Sequence, residues 1–132
     1  MFIKDLVFQV EFSAYAEAHF CKDFGKKYKG RQWVETRRTI GETLERAFGV
    51  GGTSLIDVLK FSFEADEGIF KLDFRVAGTE FSPKGSGNRV IFSLSNRTGK
   101  IVVLLVYGKG HVPKKQSETQ WIMGHVKEVG LG

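Results

Sequence analysis

Residues 88–107 read Asn88-Arg89-Val90-Ile91-Phe92-Ser93-Leu94-Ser95, then Asn96-Arg97-Thr98-Gly99, then Lys100-Ile101-Val102-Val103-Leu104-Leu105-Val106-Tyr107. Two apolar runs around a short turn-forming stretch predict a β-hairpin. In the first run Val90, Phe92 and Leu94 alternate with Arg89, Ile91 and Ser93, so one face turns inward. From Ile101 to Tyr107 every position is apolar, so both faces need cover and the strand belongs inside a sheet. Upstream, Phe70, Leu72, Phe74 and Val76 alternate with Lys71, Asp73 and Arg75, predicting a strand over 69–76. Asp66-Glu67-Gly68 supplies the turn before it, and Leu55 to Phe63 reads as another strand.

The first half carries a different period. Asp5 to Phe12 alternates as a strand, with Leu6, Phe8, Val10 and Phe12 on one side. Ser13 is a good N-cap for a helix over Ala14–Tyr28, striped by Glu17, Phe20, Phe24 and Tyr28. Lys29-Gly30 breaks it. A second helix follows from about Gln32 to Phe48, where Trp33, Arg37, Ile40, Leu44 and Phe48 form one ladder, and Gly49 to Gly52 ends it. After the apolar strand come Gly108-Lys109-Gly110 and Pro113, a loop. Ser117 and Gln120 then match a capping box for a short last helix bearing Trp121, Ile122, His125, Val126 and Val129. A β-α-α-β order of this kind predicts an α+β fold. The expectation is a mainly antiparallel, mixed sheet of four to five strands, with a helical hairpin on one face and a short C-terminal helix. Residues 1–132 are expected to form one domain, with the helices covering one sheet face and the other left polar.

Apolar residues make up 42% of the 132-residue chain and charged residues 27%, as in an ordinary globular protein. The single cysteine, Cys21, excludes an internal disulfide and any multi-cysteine zinc module. The longest apolar run is Ile101 to Tyr107, far short of the roughly 20 residues a membrane helix needs. With Asp5 and Glu11 early and no apolar leader core, a cytoplasmic protein without membrane contact is expected. Net charge is +5, unevenly spread. From Phe81 to Ser117 there is no Asp or Glu, while Lys84, Arg89, Arg97, Lys100, Lys109, Lys114 and Lys115 all fall there. Such a block on a folded scaffold attracts polyanions; it also suits a solubilising surface.

Strand alternation places Lys71, Asp73 and Arg75 in one row, and Arg89 can join it from a neighbouring strand. Tyr107, Lys109 and His111 lie at the end of the apolar strand. Cations gathered this way suit a phosphodiester, which Arg can grip bidentately. Cleaving RNA by in-line attack of the ribose 2′-hydroxyl needs a base, an acid and charge stabilisation. The same row also reads as a solvated face with one Lys–Asp or Arg–Asp pair. Among the histidines, His19 reads as a surface residue and His125 as a packing residue, leaving His111 as the reactive candidate. No ligand spacing indicates a metal, and no cofactor motif is present: Gly49 to Ser54 lacks the lysine of a phosphate-binding loop.

Several stretches resemble toxins of the RelE/ParE superfamily. They are Val10-Glu11-Phe12-Ser13 before two helices, Phe70-Lys71-Leu72-Asp73-Phe74-Arg75-Val76, Gly87-Asn88-Arg89-Val90-Ile91-Phe92, and the run Lys100 to Lys109. The RelE-like and HigB-like branches look most similar, since their last strand also runs into a Gly/Lys loop and a short helix. The resemblance implies a bacterial or phage toxin–antitoxin system. It implies a metal-independent mRNA endonuclease acting on the ribosome, with mRNA, ribosome and a cognate antitoxin as partners. Lys71, Arg75, Arg89 and Lys109 match the family's basic face, and His111 substitutes for its C-terminal acid or base. In that reading Arg89 stabilises the scissile phosphate, Lys71 and Arg75 position it, Lys109 assists and Tyr107 supports. Lys84, Lys114 and Lys115 extend the RNA-binding surface. Asp73 stands where RelE has a lysine, Gly110 where it has an arginine, and the Gly78–Gly87 loop is longer. The rivals are a ParE-like toxin directed at gyrase, a non-catalytic nucleic-acid-binding module and a degenerate toxin relative.

Overall fold

The structure, a computed structural model, describes residues 7–47 and 54–130. Five strands form one mixed sheet: β1 (Gln9–Phe12), β2 (Ile56–Ser62), β3 (Glu67–Phe74), β4 (Asn88–Ser95) and β5 (Lys100–Tyr107). Their order is β1-β5-β4-β3-β2. β2 to β5 pair antiparallel in sequence, and β1 lies parallel to β5 with Val10 beside Ile101. The α+β architecture is thus as the residue pattern predicts. The expected turn shifts by a few residues: Glu67 and Gly68 already belong to β3, while Asp66 stands in the turn with φ 55°. Asp5, Leu6, Phe48 and Gly49 to Gly52 lie outside the described residues.

The helices are α1 (Ala14–Ala16), α2 (Lys22–Lys27), α3 (Arg31–Glu45), α4 (Pro83–Ser86) and α5 (Glu118–Glu128). The predicted first helix is divided. Between α1 and α2, residues Glu17–Cys21 form a wider turn in which His19 (φ −132°, ψ 75°) and Phe20 (φ −147°, ψ 41°) leave helical geometry. There the neighbours Phe20 and Cys21 enter different hydrophobic clusters. A chelated pair, Arg37 with both carboxylate oxygens of Glu17, fastens this segment to α3.

One face of the sheet is covered by α3. Trp33, Thr36, Ile40 and Leu44 lie on one stripe and are buried. Trp33, Ile40 and Leu44 pack with Phe70, Leu72, Phe74, Val90, Phe92 and Val103. Thr36 Oγ1 donates to Gln32 O (2.7 Å) and accepts from Ala77 N (2.8 Å), tying α3 to the chain leaving β3.

The opposite face is not left polar, and here the sequence expectation fails. Ile69, Ile91, Leu105 and Tyr107 point to it and α5 covers them with Trp121, Ile122 and Val126. Reading Ile91 as an outward partner of Arg89 and Ser93 hid this second core. A bulge opposite Ile91 and Phe92 turns Leu104 and Leu105 both into it. α5 starts at Ser117, whose hydroxyl accepts from Gln120 N at 3.1 Å.

Candidate nucleic-acid interface

β3 ends, β4 begins and β5 ends at the same edge of the sheet, because Phe74 pairs with Asn88 and Arg89 with Tyr107. The connections 75–87 and 108–117 therefore emerge together. They bring the exposed Arg75, Lys84, Lys109, Lys114 and Lys115 to one end of the molecule. Lys27 of α2 lines a groove with Lys109 there. The acid-free block is split by this topology. Arg97 and Lys100 lie at the far end, in and beside the β4–β5 turn, where Arg97 donates to Glu64 O at 2.7 Å.

Beneath the cationic end lies a buried polar row. Cross-strand register sets Asp73 against Arg89 and Arg89 against Tyr107. Arg89 Nε stands 2.8 Å from Asp73 Oδ1, although no N–H is aligned on that oxygen. Asp73 is 6% exposed. Arg89 also donates from Nη1 to Asn88 O (2.9 Å) and from Nη2 to Lys84 O (3.4 Å). The Arg–Asp pair that the row allowed is therefore present, and Arg89 is a neutralised anchor. Tyr107 is buried with its hydroxyl donating to Glu118. Burial, then the Glu118 hydrogen bond, push its ionisation far above the ordinary tyrosine range. The hydroxyl thus cannot serve as a base near neutrality.

Two hollows flank Lys109. One, about 280 Å³, is lined by Gly87, Arg89, Tyr107, Lys109, Gln116 and Glu118 among others. The other, about 490 Å³, lies between α2 and the loops, lined by Tyr28, Phe81, Asn88, Lys109 and His111 among others. Two glycines make this packing possible. A Cβ on Gly87 (φ +76°) would stand 2.7 Å from Lys109 Cγ, and one on Gly108 would stand 2.9 Å from Asn88 Oδ1. The expected loop Gly78–Gly87 holds α4, with Ser82 as N-cap accepting from Gly85 N at 3.0 Å.

His111 sits in a short 3₁₀ turn, Lys109–His111. Its Nδ1 accepts from Gly108 N at 2.9 Å, which assigns the neutral ring's proton to Nε2, 3.2 Å from Asp23 Oδ2. The ring stacks on Phe20 at 4.2 Å between centroids. Nε2 is consequently its only route to a substrate, by exchange with Asp23.

Arg89, Tyr107 and Lys109 line one hollow together, and His111 shares the neighbouring hollow with Lys109. Lys71 is not with them. It lies mid-strand, opposite Asp57 on one side and Ile91 on the other, and lines neither hollow. Arg75 is exposed beyond β3, donates to Thr79 O at 3.5 Å and lines neither hollow. His19 corrects the surface expectation: its ring stacks on Tyr15 (4.0 Å) and its Nδ1 meets Tyr15 O at 2.9 Å. With His125 and Glu128 these groups knit the α1–α2 segment to α5. Cys21 is buried and in no disulfide, its thiol pushed up to about 12 by burial.

Sequence reading missed Phe81, Asn88, Lys27 and Tyr28. The Asn88-Arg89 step was visible, but the approach of α2 to the 108–111 loop left no mark in local spacing. Among the described residues no cluster of three or more His, Cys, Asp or Glu side chains is placed to hold a metal. None of their helices is long and apolar enough to cross a membrane. No family model, curated protein sequence or solved structure matches the chain.

Proposed function

We propose that the protein acts on RNA as a RelE-like toxin, gripping single-stranded message with the cationic end of its sheet. One observation supports this most: Arg75, Lys84, Lys109, Lys114 and Lys115, exposed and drawn from the 75–87 and 108–117 connections, lie at one end of the sheet, where Lys109 lines two hollows. Cations of one sign beside aromatic walls suit single strands, whose phosphates and bases are bound separately. In a metal-independent cleavage Lys109 neutralises the phosphate, and the anchored Arg89 holds the floor of the smaller hollow. His111 donates a hydrogen bond from Nε2 to a phosphate oxygen once substrate displaces Asp23. Ribosome dependence, a cognate antitoxin and a cytoplasmic setting belong to this proposal.

A second reading has its own observation. Arg89 is neutralised by Asp73, the Tyr107 hydroxyl is tied to Glu118, and both nitrogens of His111 are engaged. Those contacts favour binding without cleavage. Induced expression in a bacterial host, with primer extension on abundant messages, separates the readings. Growth arrest with discrete cuts in translated regions, both abolished in Lys109→Ala, supports the nuclease. Arrest with intact messages moves the assignment to a binding or protein-directed toxin. No arrest contradicts the toxin reading.

A further inference from the structure

We infer that the groove between α2 and the 78–87 and 108–111 loops is a nucleobase pocket, taking one unpaired base of a strand whose phosphate rests against Lys109. The inference depends on the RNA reading above and adds what the groove reads. Its volume, about 490 Å³, falls in the range of small-ligand sites. Three of its side chains are aromatic: Phe24 and Tyr28, whose rings lie parallel within 21° at 6.2 Å, and Phe81. Phe81 is 62% exposed, a large apolar ring in water at the edge of a polar groove. A base stacked on it would remove that surface from water, and any base has a π-face to offer.

Three polar side chains of the groove are committed. Thr79 Oγ1 donates to Val76 O, Ser86 Oγ to Phe74 O, and Asp23 pairs with His111. The Asn88 side-chain amide makes no such bond among the described residues. It offers a donor and an acceptor side by side, the pattern that reads a base edge. Its carbonyl oxygen lies against Gly108, where any side chain would displace it. Lys27, whose ammonium stands 5.3 Å from the Tyr28 ring centre, and Lys109 supply cations on the groove walls. Lys109 also lines the smaller hollow. A base in one hollow therefore leaves the adjoining phosphate beside the other.

The test uses fluorescein-labelled single-stranded RNA heptamers in anisotropy titrations, with the four bases and an abasic residue placed in turn at each position. The parent should bind base-containing oligomers about tenfold tighter than those with the critical base removed, within the range of one stacked base. Phe81→Ala should erase that difference, and Asn88→Ala should change the ranking of the four bases without altering the salt dependence. 2-Aminopurine at the critical position should be quenched by the parent and not by Phe81→Ala. If both variants bind every oligomer as the parent does, with salt-sensitive affinity intact, the pocket is overturned and the RNA reading stands. If the parent binds no oligomer at low salt, both fall.

Discussion

The two faces of the sheet are built on different principles. The α3 face is apolar except for Thr36, closed by Trp33, Ile40 and Leu44 over Phe70, Leu72 and Phe92. The α5 face joins an apolar patch around Trp121 and Ile122 to the polar row Asp73, Arg89, Tyr107 and Glu118. A face made almost wholly of hydrocarbon specifies packing. A face that buries a charge pair at its rim fixes the position of a guanidinium beside an exposed lysine, at a desolvation cost. On the function proposed above, the second face is the one that carries chemistry, because its polar row adjoins the cationic end.

Removing Asp73 should have the largest effect on the α5 face. Asp73→Ala leaves the partly buried Arg89 without its partner and should cost about 3 kcal/mol in urea unfolding, the low end for a broken buried pair. A loss below about 1 kcal/mol would show that Arg89 simply turns to solvent. On the other face, Leu44→Ala should cost about 2–5 kcal/mol through its cavity and leave RNA affinity unchanged in protein that remains folded. The double replacement Asp73→Leu with Arg89→Met sharpens the contrast. It should recover most of the stability that Asp73→Ala removes while weakening RNA binding at the rim. Full affinity in that protein would remove Arg89 from the site.

Tyr107→Phe should lose about 0.5–1.5 kcal/mol, the worth of the bond to Glu118. RNA cleavage, where observed, should survive it; its abolition would return Tyr107 to the chemistry. A smaller effect lies where α5 meets the α1–α2 segment. Burial, then the charge of His19, lower the pKa of His125, with Glu128 opposing. The fold favours neutral His125, so its contribution is complete above the ordinary histidine range and declines as pH falls below it. Unfolding midpoints should drop between pH 7.5 and 5.5, and His125→Gln should shallow that slope. An equal slope in the variant would remove His125 as its source.

The sheet was legible because period two survives in β3 and β4 and β5 is apolar at every position from Ile101 to Tyr107. The hydrophobic ladder of α3 was legible by its own helical period. The second core was not, since Ile69 and Ile91 share their strand faces with the charged Lys71 and Arg89, and local alternation does not say which face a distant helix will cover. The cationic end was half legible. The residues of the acid-free block were visible, but the turn at Asn96 to Gly99 sends Arg97 and Lys100 to the opposite end. Lys71, promoted by its place in the charged row, sits too far along β3 to reach either hollow. The groove itself depends on α2 approaching the 108–111 loop, a tertiary approach through Phe20, Asp23 and His111.

The central claim is that the loops at the end of β3, β4 and β5 form an RNA-binding surface. Its most direct test is the affinity of a single-stranded RNA heptamer measured between 50 and 200 mM salt, for the parent and for a variant with Lys84, Lys109, Lys114 and Lys115 changed to Gln. The account predicts a linear fall of log affinity with log salt in the parent and a clearly shallower slope in the variant, by roughly 0.7 for each phosphate that is no longer neutralised. Equal slopes in the two proteins, or no binding by the parent at 50 mM salt, would contradict it.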